Sequence, residues 1–464
     1  MRQELDGRSW QSLLTWKRIP ILSILLGGVL VQSMNVLMLA TMLPSIVGEL
    51  GGVAMISWPT TAYLASSIVA ATSAGALANA IGTRTVYCAG VLTFGLGALL
   101  CSTATAMVWI VVGRLIQGFG GGLETAVAYV LVRGAFPQGL WSRTVALMST
   151  SWSVSVMVGP LVGGMFTKFG SWRAAFVATL VAAAALAIGA FIILPATINR
   201  SHASRVPTAR VVLICVSIAA TSFASVVSSL ISKLGLLVLA MISLAAMLRL
   251  NRHAPTPMLP RNAFSWRAQT GVGLWLGLLL CIAFSPLQIY MPMFLQQIHG
   301  FDPLAAGFSV ATASLAWTVA SMISAGASGP WPDRLIVIGP LMMALSLVLM
   351  SWLAPGSTVL LLIATIPLLG AGIGQCWPIV AQRIMEGAEA GDETVAASSV
   401  PTIQQMGFAL GGAIAGIVAN ASGLTSAISN DGMVEAAFWV PTSFVVSAVL
   451  AAATAIHLRK LRAA

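Results

Sequence analysis

Apolar residues run through this chain in long stretches, and short polar segments separate them. An apolar run of about 18 residues or more is long enough to cross a lipid bilayer as a helix. The pattern predicts fourteen membrane-spanning helices, over about 19–43, 57–78, 84–105, 107–131, 144–167, 173–195, 210–229, 233–250, 268–294, 303–326, 334–354, 357–381, 396–420 and 435–457.

The overall composition supports this prediction. Of the 464 residues, 58% are hydrophobic and only 8% are charged. Because a soluble domain carries roughly 25% charged residues, this chain has too few polar groups to cover its surface in water. The sequence therefore predicts an all-α integral membrane protein.

The basic residues are distributed unevenly between the two sides of these spans. If the N-terminus lies inside, most of the 23 Lys and Arg residues fall on cytoplasmic segments, and only Lys168, Arg173 and Lys233 fall outside. The positive-inside rule then places both termini in the cytoplasm of a multi-pass inner-membrane protein. The net charge of +11 is attributed to this topology and to contact with anionic membrane lipids, so no nucleic-acid partner is expected.

Two glycine-rich segments recur weakly about 250 residues apart. LIQGFGGG at 115–122 resembles LLGAGIGQ at 368–375. Two related halves with a binding site between them are a recurrent plan of secondary transporters. We predict three parts: an N-terminal six-helix half over 1–200, two extra helices with basic flanking loops over 201–262, and a C-terminal six-helix half over 263–464.

Three segments resemble signatures of the major facilitator superfamily. GALANAIGTR at 75–84 resembles its loop between spans two and three, and GRLIQGFGGG at 113–122 resembles its fourth-span signature. VMVGPLVGG at 156–164 resembles the fifth-span signature associated with antiporters. With two extra spans, the chain resembles the fourteen-helix drug:proton antiporter branch. This resemblance implies a monomer without a cofactor that moves small molecules by alternating access, with the proton as coupling ion.

The antiporter-type motif contains small residues and a proline, namely Gly159, Pro160, Gly163 and Gly164. Small residues let helices approach closely where lipid offers no hydrophobic driving force. The resemblance implies a close-packed gate that seals the cavity on one side. Ordinary glycine-mediated packing remains the alternative interpretation.

The cytoplasmic loop motif departs from the family pattern. It retains Gly75, Gly82 and Arg84, but Asn79 stands where the family usually has aspartate. The resemblance implies a latch on the cytoplasmic side, in which Asn79 can form hydrogen bonds but carries no charge. A purely structural turn is the alternative.

Two charges, Arg114 and Glu124, lie inside the fourth predicted span. A charge in the membrane costs roughly 2.5–3.5 kcal/mol on insertion scales and indicates function by default. Ten residues separate the two side chains by about 15 Å along a helix, so they cannot pair with each other. Each must face a cavity or find polar partners on another helix, such as Gln32, Ser33 and Asn35 of the first span. The alternative for Arg114 is a structural role, in which it forms hydrogen bonds to neighbouring backbone. The alternative for Glu124 is a snorkelled or structural side chain.

Glu124 is the predicted proton-coupling residue, and Arg114 is predicted to assist it. Asn35 stands where the family often has an acidic residue on the first span, and an amide cannot carry a proton. Burial in a low dielectric favours the neutral form of a carboxylic acid. Glu124 would therefore take up a proton on one side of the membrane and release it on the other.

Substrate recognition is predicted from polar, aromatic and methionine side chains within the spans. Flexible and aromatic surfaces suit promiscuous binding of apolar or cationic molecules. For any one of these residues, contact with lipid or simple filling of space is the favoured alternative. The cavity candidates are Gln32, Asn35, Met38, Tyr63, Gln117, Trp152, Tyr290, Gln296, Trp377 and Gln404.

Other classes of function fit the sequence less well. The spans contain no convergent catalytic group and no His or Cys cluster that predicts a metal site, so an enzyme is not expected. The loops are too short for a soluble signalling domain. Within transport, the alternative is an exporter or facilitator of a specific metabolite, lipid or siderophore that does not couple to protons through a first-span acid.

Overall fold

A computed structural model describes residues 10–51, 55, 58–169, 171–195, 229–252, 257–356, 358–423 and 430–463, with isolated positions 209, 210, 212, 213, 216, 217, 220, 227 and 254. The regular elements within these residues are all helical. This confirms the predicted all-α membrane fold.

Within the described residues, the N-terminal part of the chain forms eight helices, most of them long. They are α1 (Trp10–Leu13), α2 (Ile19–Leu50), α3 (Trp58–Ile81), α4 (Thr83–Ser102), α5 (Met107–Ala135), α6 (Trp141–Phe169), α7 (Trp172–Ile193) and α8 (Leu230–Arg252). A 3-10 turn over Gln138–Leu140 joins α5 to α6.

The C-terminal part repeats this plan. Its helices are α9 (Gln269–Ile289), α10 (Met291–Gln297), α11 (Pro303–Ala325), α12 (Trp331–Leu353), α13 (Val359–Glu386), α14 (Glu393–Ala421) and α15 (Asn430–Ala463). The short helix α10 directly follows α9, which contains Pro286 near its end.

Twelve stretches of the described residues are long and apolar enough to cross a membrane. Two predicted spans are not among them. The span predicted over 144–167 lies in the continuous helix α6, and most of the span predicted over 210–229 lies outside the described residues. The count of fourteen spans therefore stays a prediction.

The chain divides into two compact units. Unit 1 comprises Met1–Ala220, Val238–Arg261 and Glu389–Thr402, and unit 2 comprises Thr221–Leu237, Asn262–Ala388 and Ile403–Ala464. The first turns of α14 thus belong to unit 1. The boundaries predicted near residues 200 and 262 stay predictions.

Helix α5 lies at the centre of unit 1 because its glycines leave no side chain between it and its neighbours. Gly118 and Gly122 lie directly against the backbone of Tyr63 and Ser67 in α3, so a methyl group at either position would overlap it. Gly120 lies against Phe94 of α4 in the same way. These close contacts fix the rotation of α5 and hence the directions of its polar side chains.

Helix α13 has the same place in unit 2. Gly370 and Gly374 lie against the backbone of Ala313 and Trp317 in α11, as Gly118 and Gly122 lie against α3. Gly372 approaches α12 as Gly120 approaches α4. Glu124 lies two positions after Gly122 in α5, and Cys376 lies two positions after Gly374 in α13. The buried thiol of Cys376 therefore occupies the position that corresponds to Glu124.

Candidate functional site

Three polar side chains of α5 lie inside unit 1. Arg114 and Gln117 are fully buried, and Glu124 is 3% exposed. Positions 114, 117, 121 and 124 follow one another at intervals of three or four residues, and position 121 is a glycine. Such intervals place the three side chains along one face of the helix. This face is turned towards α2, α3 and α4.

Arg114 is a buried cation held by amides and an aromatic ring. Its Nη1 atom donates hydrogen bonds to Oδ1 of Asn35 on α2 and, at 3.1 Å, to Oε1 of Gln117. Its guanidinium carbon lies 4.2 Å from the centroid of the Tyr63 ring. Within the described residues, Arg114 makes no ion pair with a carboxylate, and its Nε atom has no hydrogen-bond partner. The first span thus supplies a partner for Arg114.

Glu124 lies in a tighter pocket between α2 and α4. Its carboxyl group is beside the hydroxyl of Tyr87 and beside Gly28, where any side chain would overlap it. The Tyr87 hydroxyl donates to the carbonyl of Ile24 at 3.0 Å, while Oε1 of Glu124 has no hydrogen-bond partner. A buried carboxylate with an unsatisfied oxygen is costly, so this pocket favours the neutral acid.

Gln32 and Tyr63 lie between the two charged residues. Thr125, next to Glu124, donates to Oε1 of Gln32. A methyl group added at Gly121 would be 2.8 Å from the Tyr63 hydroxyl and 3.2 Å from Nε2 of Gln32. The missing side chain at Gly121 therefore lets polar groups of α2 and α3 continue along α5 from Arg114 towards Glu124.

Sequence reasoning missed several residues of this cluster. Tyr87 and Gly28 surround Glu124, and Thr179 of α7 accepts a hydrogen bond from Nδ2 of Asn35 at 3.4 Å. Tyr87 carried a usable signal, because the chain has only four tyrosines and a buried phenol needs a partner. Nothing in the sequence pointed to Gly28.

The residues of the antiporter-type motif lie where α6 packs on α2. Gly159 is buried close to Leu37, and a methyl group at Gly163 would be 2.8 Å from the side chain of Met38. Gly164 faces open space, and Pro160 lies within the continuous helix. Met38, predicted to line the substrate cavity, is buried in an apolar cluster with Leu39, Met42, Ile46 and residues of α4, α5 and α7.

The residues of the cytoplasmic loop motif lie around the junction of α3 and α4. Gly82 joins the two helices with a φ of 91°, which favours glycine. Gly75 lies against Val395 and Ser398 at the start of α14. Asn79 lines a nearby cavity, whereas Arg84 turns away and stacks over Phe191 of α7, 4.9 Å from the ring centroid.

Two of the cavity candidates in unit 2, Trp377 and Tyr290, lie in separate aromatic groups. Trp377 is buried 6.3 Å from Trp317, measured between ring centroids, and Trp317 packs edge-on against Phe284 at 5.3 Å. Tyr290 stacks on Phe294 at 6.0 Å. The other candidates are less enclosed: Gln296 and Gln404 are half-buried, and Trp152 of unit 1 is 37% exposed.

Unit 2 also contains an ionic network that sequence reasoning missed. Asp333 at the start of α12 pairs with Arg383 of α13 at 3.1 Å and with Arg462 of α15 at 3.4 Å. Arg383 also pairs with Glu386 at 3.3 Å. These ion pairs link the ends of three helices.

Residues 25–412 match the Major Facilitator Superfamily. The chain is 31% identical to a probable multidrug-efflux transporter of Mycobacterium tuberculosis, over 89% of this chain and 90% of that one. It is 26% identical to a multidrug transporter protein of Bacillus subtilis, over 87% of this chain and 76% of that one.

A solved structure shares the fold. The human organic anion transporter MFSD10 superposes with a TM-score of 0.73, covering 95% of this chain and 100% of that one. At 14% sequence identity, this similarity concerns the fold alone.

Proposed function

Since the chain belongs to the major facilitator superfamily, we propose that it is a secondary active transporter that exports hydrophobic or cationic compounds in exchange for protons. The superfamily consists of transporters rather than enzymes. The observation that carries the proposal is the buried carboxyl group of Glu124, whose Oε1 atom lacks a partner. The names of the relatives, a probable multidrug-efflux transporter and a multidrug transporter, support export of varied compounds.

The proton step takes place at Glu124. When a proton binds, the carboxyl group becomes neutral and gains an O–H donor, and the Tyr87 hydroxyl beside it has a free lone pair to accept from it. When the proton leaves, the pocket contains an uncompensated negative charge. The two protonation states therefore favour different conformations of the transporter, which is what coupling requires.

Arg114 keeps a permanent positive charge on the same helix. Its partners Asn35 and Gln117 are neutral amides, so protonation of Glu124 changes the net charge of this cluster from zero to +1. A cationic substrate is then disfavoured by protonated Glu124 and favoured by ionised Glu124. Proton uptake and substrate release are linked by this difference.

The transporter acts as a monomer in the inner membrane, with both termini in the cytoplasm. It uses no cofactor besides the transported proton. The basic residues of the predicted cytoplasmic segments support this orientation.

The decisive experiment measures transport by purified protein in liposomes under an imposed proton gradient. Glu124→Gln is expected to lower gradient-driven accumulation at least tenfold, because the amide mimics the protonated acid but cannot release a proton. Substrate binding, measured separately, should persist. Glu435→Gln, which neutralises an exposed carboxylate of α15, is the matched control and should transport normally.

Concentrative transport by Glu124→Gln at the wild-type rate would assign Glu124 a structural role. The second candidate is a facilitator of a specific metabolite, lipid or siderophore that uses no proton. It is favoured by the amide of Asn35, which binds Arg114 where the family often has an acid. In that case the wild-type protein would equilibrate its substrate without responding to the gradient.

A further inference from the structure

A cavity of about 380 Å³ opens at the end of unit 1 where α3 ends and α4 begins. It is lined by the ends of several helices, including Asn79 of α3, Thr83 of α4, Arg133 of α5 and Thr394 of α14. Small-molecule pockets have volumes from about 300 Å³ upwards. The cavity is therefore large enough for a small ligand or a lipid headgroup.

Arg133 is the charged residue of this lining. Its guanidinium carbon lies 5.7 Å from the ring centroid of Trp141, which also lines the cavity. Its Nε atom is buried without a hydrogen-bond partner, and no described carboxylate lies within ion-pair distance. A permanent cation with an unused buried donor favours an acceptor that enters from outside.

The other polar groups of the lining also suit an anion. Asn79 offers an amide donor and adds no negative charge to the lining. Thr394 belongs to the first turn of α14, a helix that begins at Glu393. The backbone N–H groups of such a turn are free to bind anionic oxygens.

The negative charge of Glu393 would repel an anion in the cavity, but its side chain does not fill the cavity. It interacts electrostatically with Arg133 but is not part of the lining. Its Oε2 atom accepts a hydrogen bond from the backbone N–H of Gly391 at 2.8 Å. The carboxylate is therefore held by its own loop and leaves the guanidinium of Arg133 available.

We propose that this cavity is a binding site for the phosphate group of an anionic ligand, with Arg133 as its main contact. A phosphate presents several acceptor oxygens in the arrangement that a guanidinium and backbone N–H groups can meet together. Both a membrane phospholipid headgroup and a free organic phosphate carry this group. The site is separate from the polar cluster of α5 and does not depend on the proposed transport activity.

The test uses the purified full-length protein in two arms. In the first, native mass spectrometry measures retention of phosphatidylglycerol against phosphatidylcholine. In the second, the melting temperature is followed as sn-glycerol 3-phosphate is added. Arg133→Gln should weaken binding about tenfold or more, as expected for a charged hydrogen bond. Glu393→Gln should strengthen binding, because it removes a repulsive charge.

Arg334→Gln is the matched control. Arg334 is exposed and also stacks over a tryptophan, 5.4 Å from the ring centroid of Trp331, but it belongs to unit 2 and does not line the cavity. Its substitution should leave binding unchanged. Arg133→Lys keeps the charge and provides a folded variant of intermediate affinity, should Arg133→Gln fold poorly.

Selective retention of phosphatidylglycerol that Arg133→Gln weakens and Glu393→Gln strengthens supports a lipid headgroup, whereas a response to glycerol phosphate alone supports a soluble phosphate. Equal binding by the wild type, Arg133→Lys and Glu393→Gln in both arms would overturn the proposal. The absence of any phosphate-dependent binding would overturn it as well.

Discussion

Helix α5 accommodates its two buried charges in different ways. Arg114 keeps its charge because amide oxygens and the Tyr63 ring face it. Glu124 has an oxygen without a partner, and its pocket selects the neutral form. A single helix thus carries one charge that is permanent and one that can be removed.

An ionic contact of Glu49, near the end of α2, gives a prediction about pH. Glu49, beyond the predicted span 19–43, accepts hydrogen bonds from the Trp172 indole at 2.7 Å and from Arg173. These two bonds lower the pKa of Glu49 below its ordinary value of 4.5. Because the folded state binds this proton less readily than the unfolded state, the contact stabilises the fold above the ordinary pKa. The contribution is lost as the pH falls through the lowered pKa.

Glu49→Gln is therefore expected to lower the melting temperature at neutral pH and to have a smaller effect under acid conditions. The measurement is a series of melting temperatures between about pH 3 and pH 7 for wild type and variant in the same detergent. Glu435→Gln serves again as a control for loss of an exposed carboxylate. A constant difference between wild type and Glu49→Gln over the whole series would contradict the predicted linkage.

At the scale of the element, a glycine allows a close helix contact only where it faces a neighbouring helix. Other glycines of the same helix face no neighbouring atoms. Gly163 and Gly164 are adjacent in α6, but only Gly163 faces α2, next to Met38 and Thr41. An added methyl group at Gly163 would have to displace the backbone or side chain of Met38. A methyl group added at Gly164 would have no atom of a neighbouring residue within 4 Å.

We expect Gly163→Ala to destabilise the protein by about 1–3 kcal/mol, the usual range for overpacking, and to slow transport. Gly164→Ala should leave both properties close to those of the wild type. Thermal unfolding in detergent and transport by proteoliposomes measure the two effects. If Gly163→Ala lost transport while keeping its stability, the contact would act as a gate rather than as packing alone. Equal behaviour of the two variants would contradict the predicted contact.

The elements and the charged residues of the site could be predicted from the sequence, because each depends on local information. Long apolar runs specify helices, and Arg114 and Glu124 stand out within one of them. The surroundings of Glu124 could not be predicted in the same way. Gly28, Tyr87 and Glu124 are distant in the chain and meet only when three helices pack, and the cavity at Arg133 depends on contacts among still more segments.

At the scale of the whole molecule, the distribution of basic residues predicts the orientation in the membrane. An even number of spans places both termini on the same side, and the positive-inside rule assigns that side to the cytoplasm. A fluorescent protein fused after Ala464 should therefore be fluorescent, and alkaline phosphatase at the same position should be inactive. Active phosphatase at this position would show that the C-terminus lies outside. A second fusion before Met1 tests the even number of spans.

The two units repeat one arrangement of helices around a glycine-rich central helix, yet Cys376 occupies in α13 the position of Glu124 in α5. A thiol at this place leaves the second unit without a matching acid, so the proposed cycle exchanges one proton for one substrate molecule. Exchange of one proton for one monovalent cation moves no net charge across the membrane. The voltage then contributes nothing, and a pH difference of one unit sustains at most about a tenfold concentration ratio of such a substrate. Exchange of one proton for one neutral molecule does move a charge, so the voltage adds to the pH difference. The transporter would therefore export neutral molecules against steeper concentration gradients than monovalent cations.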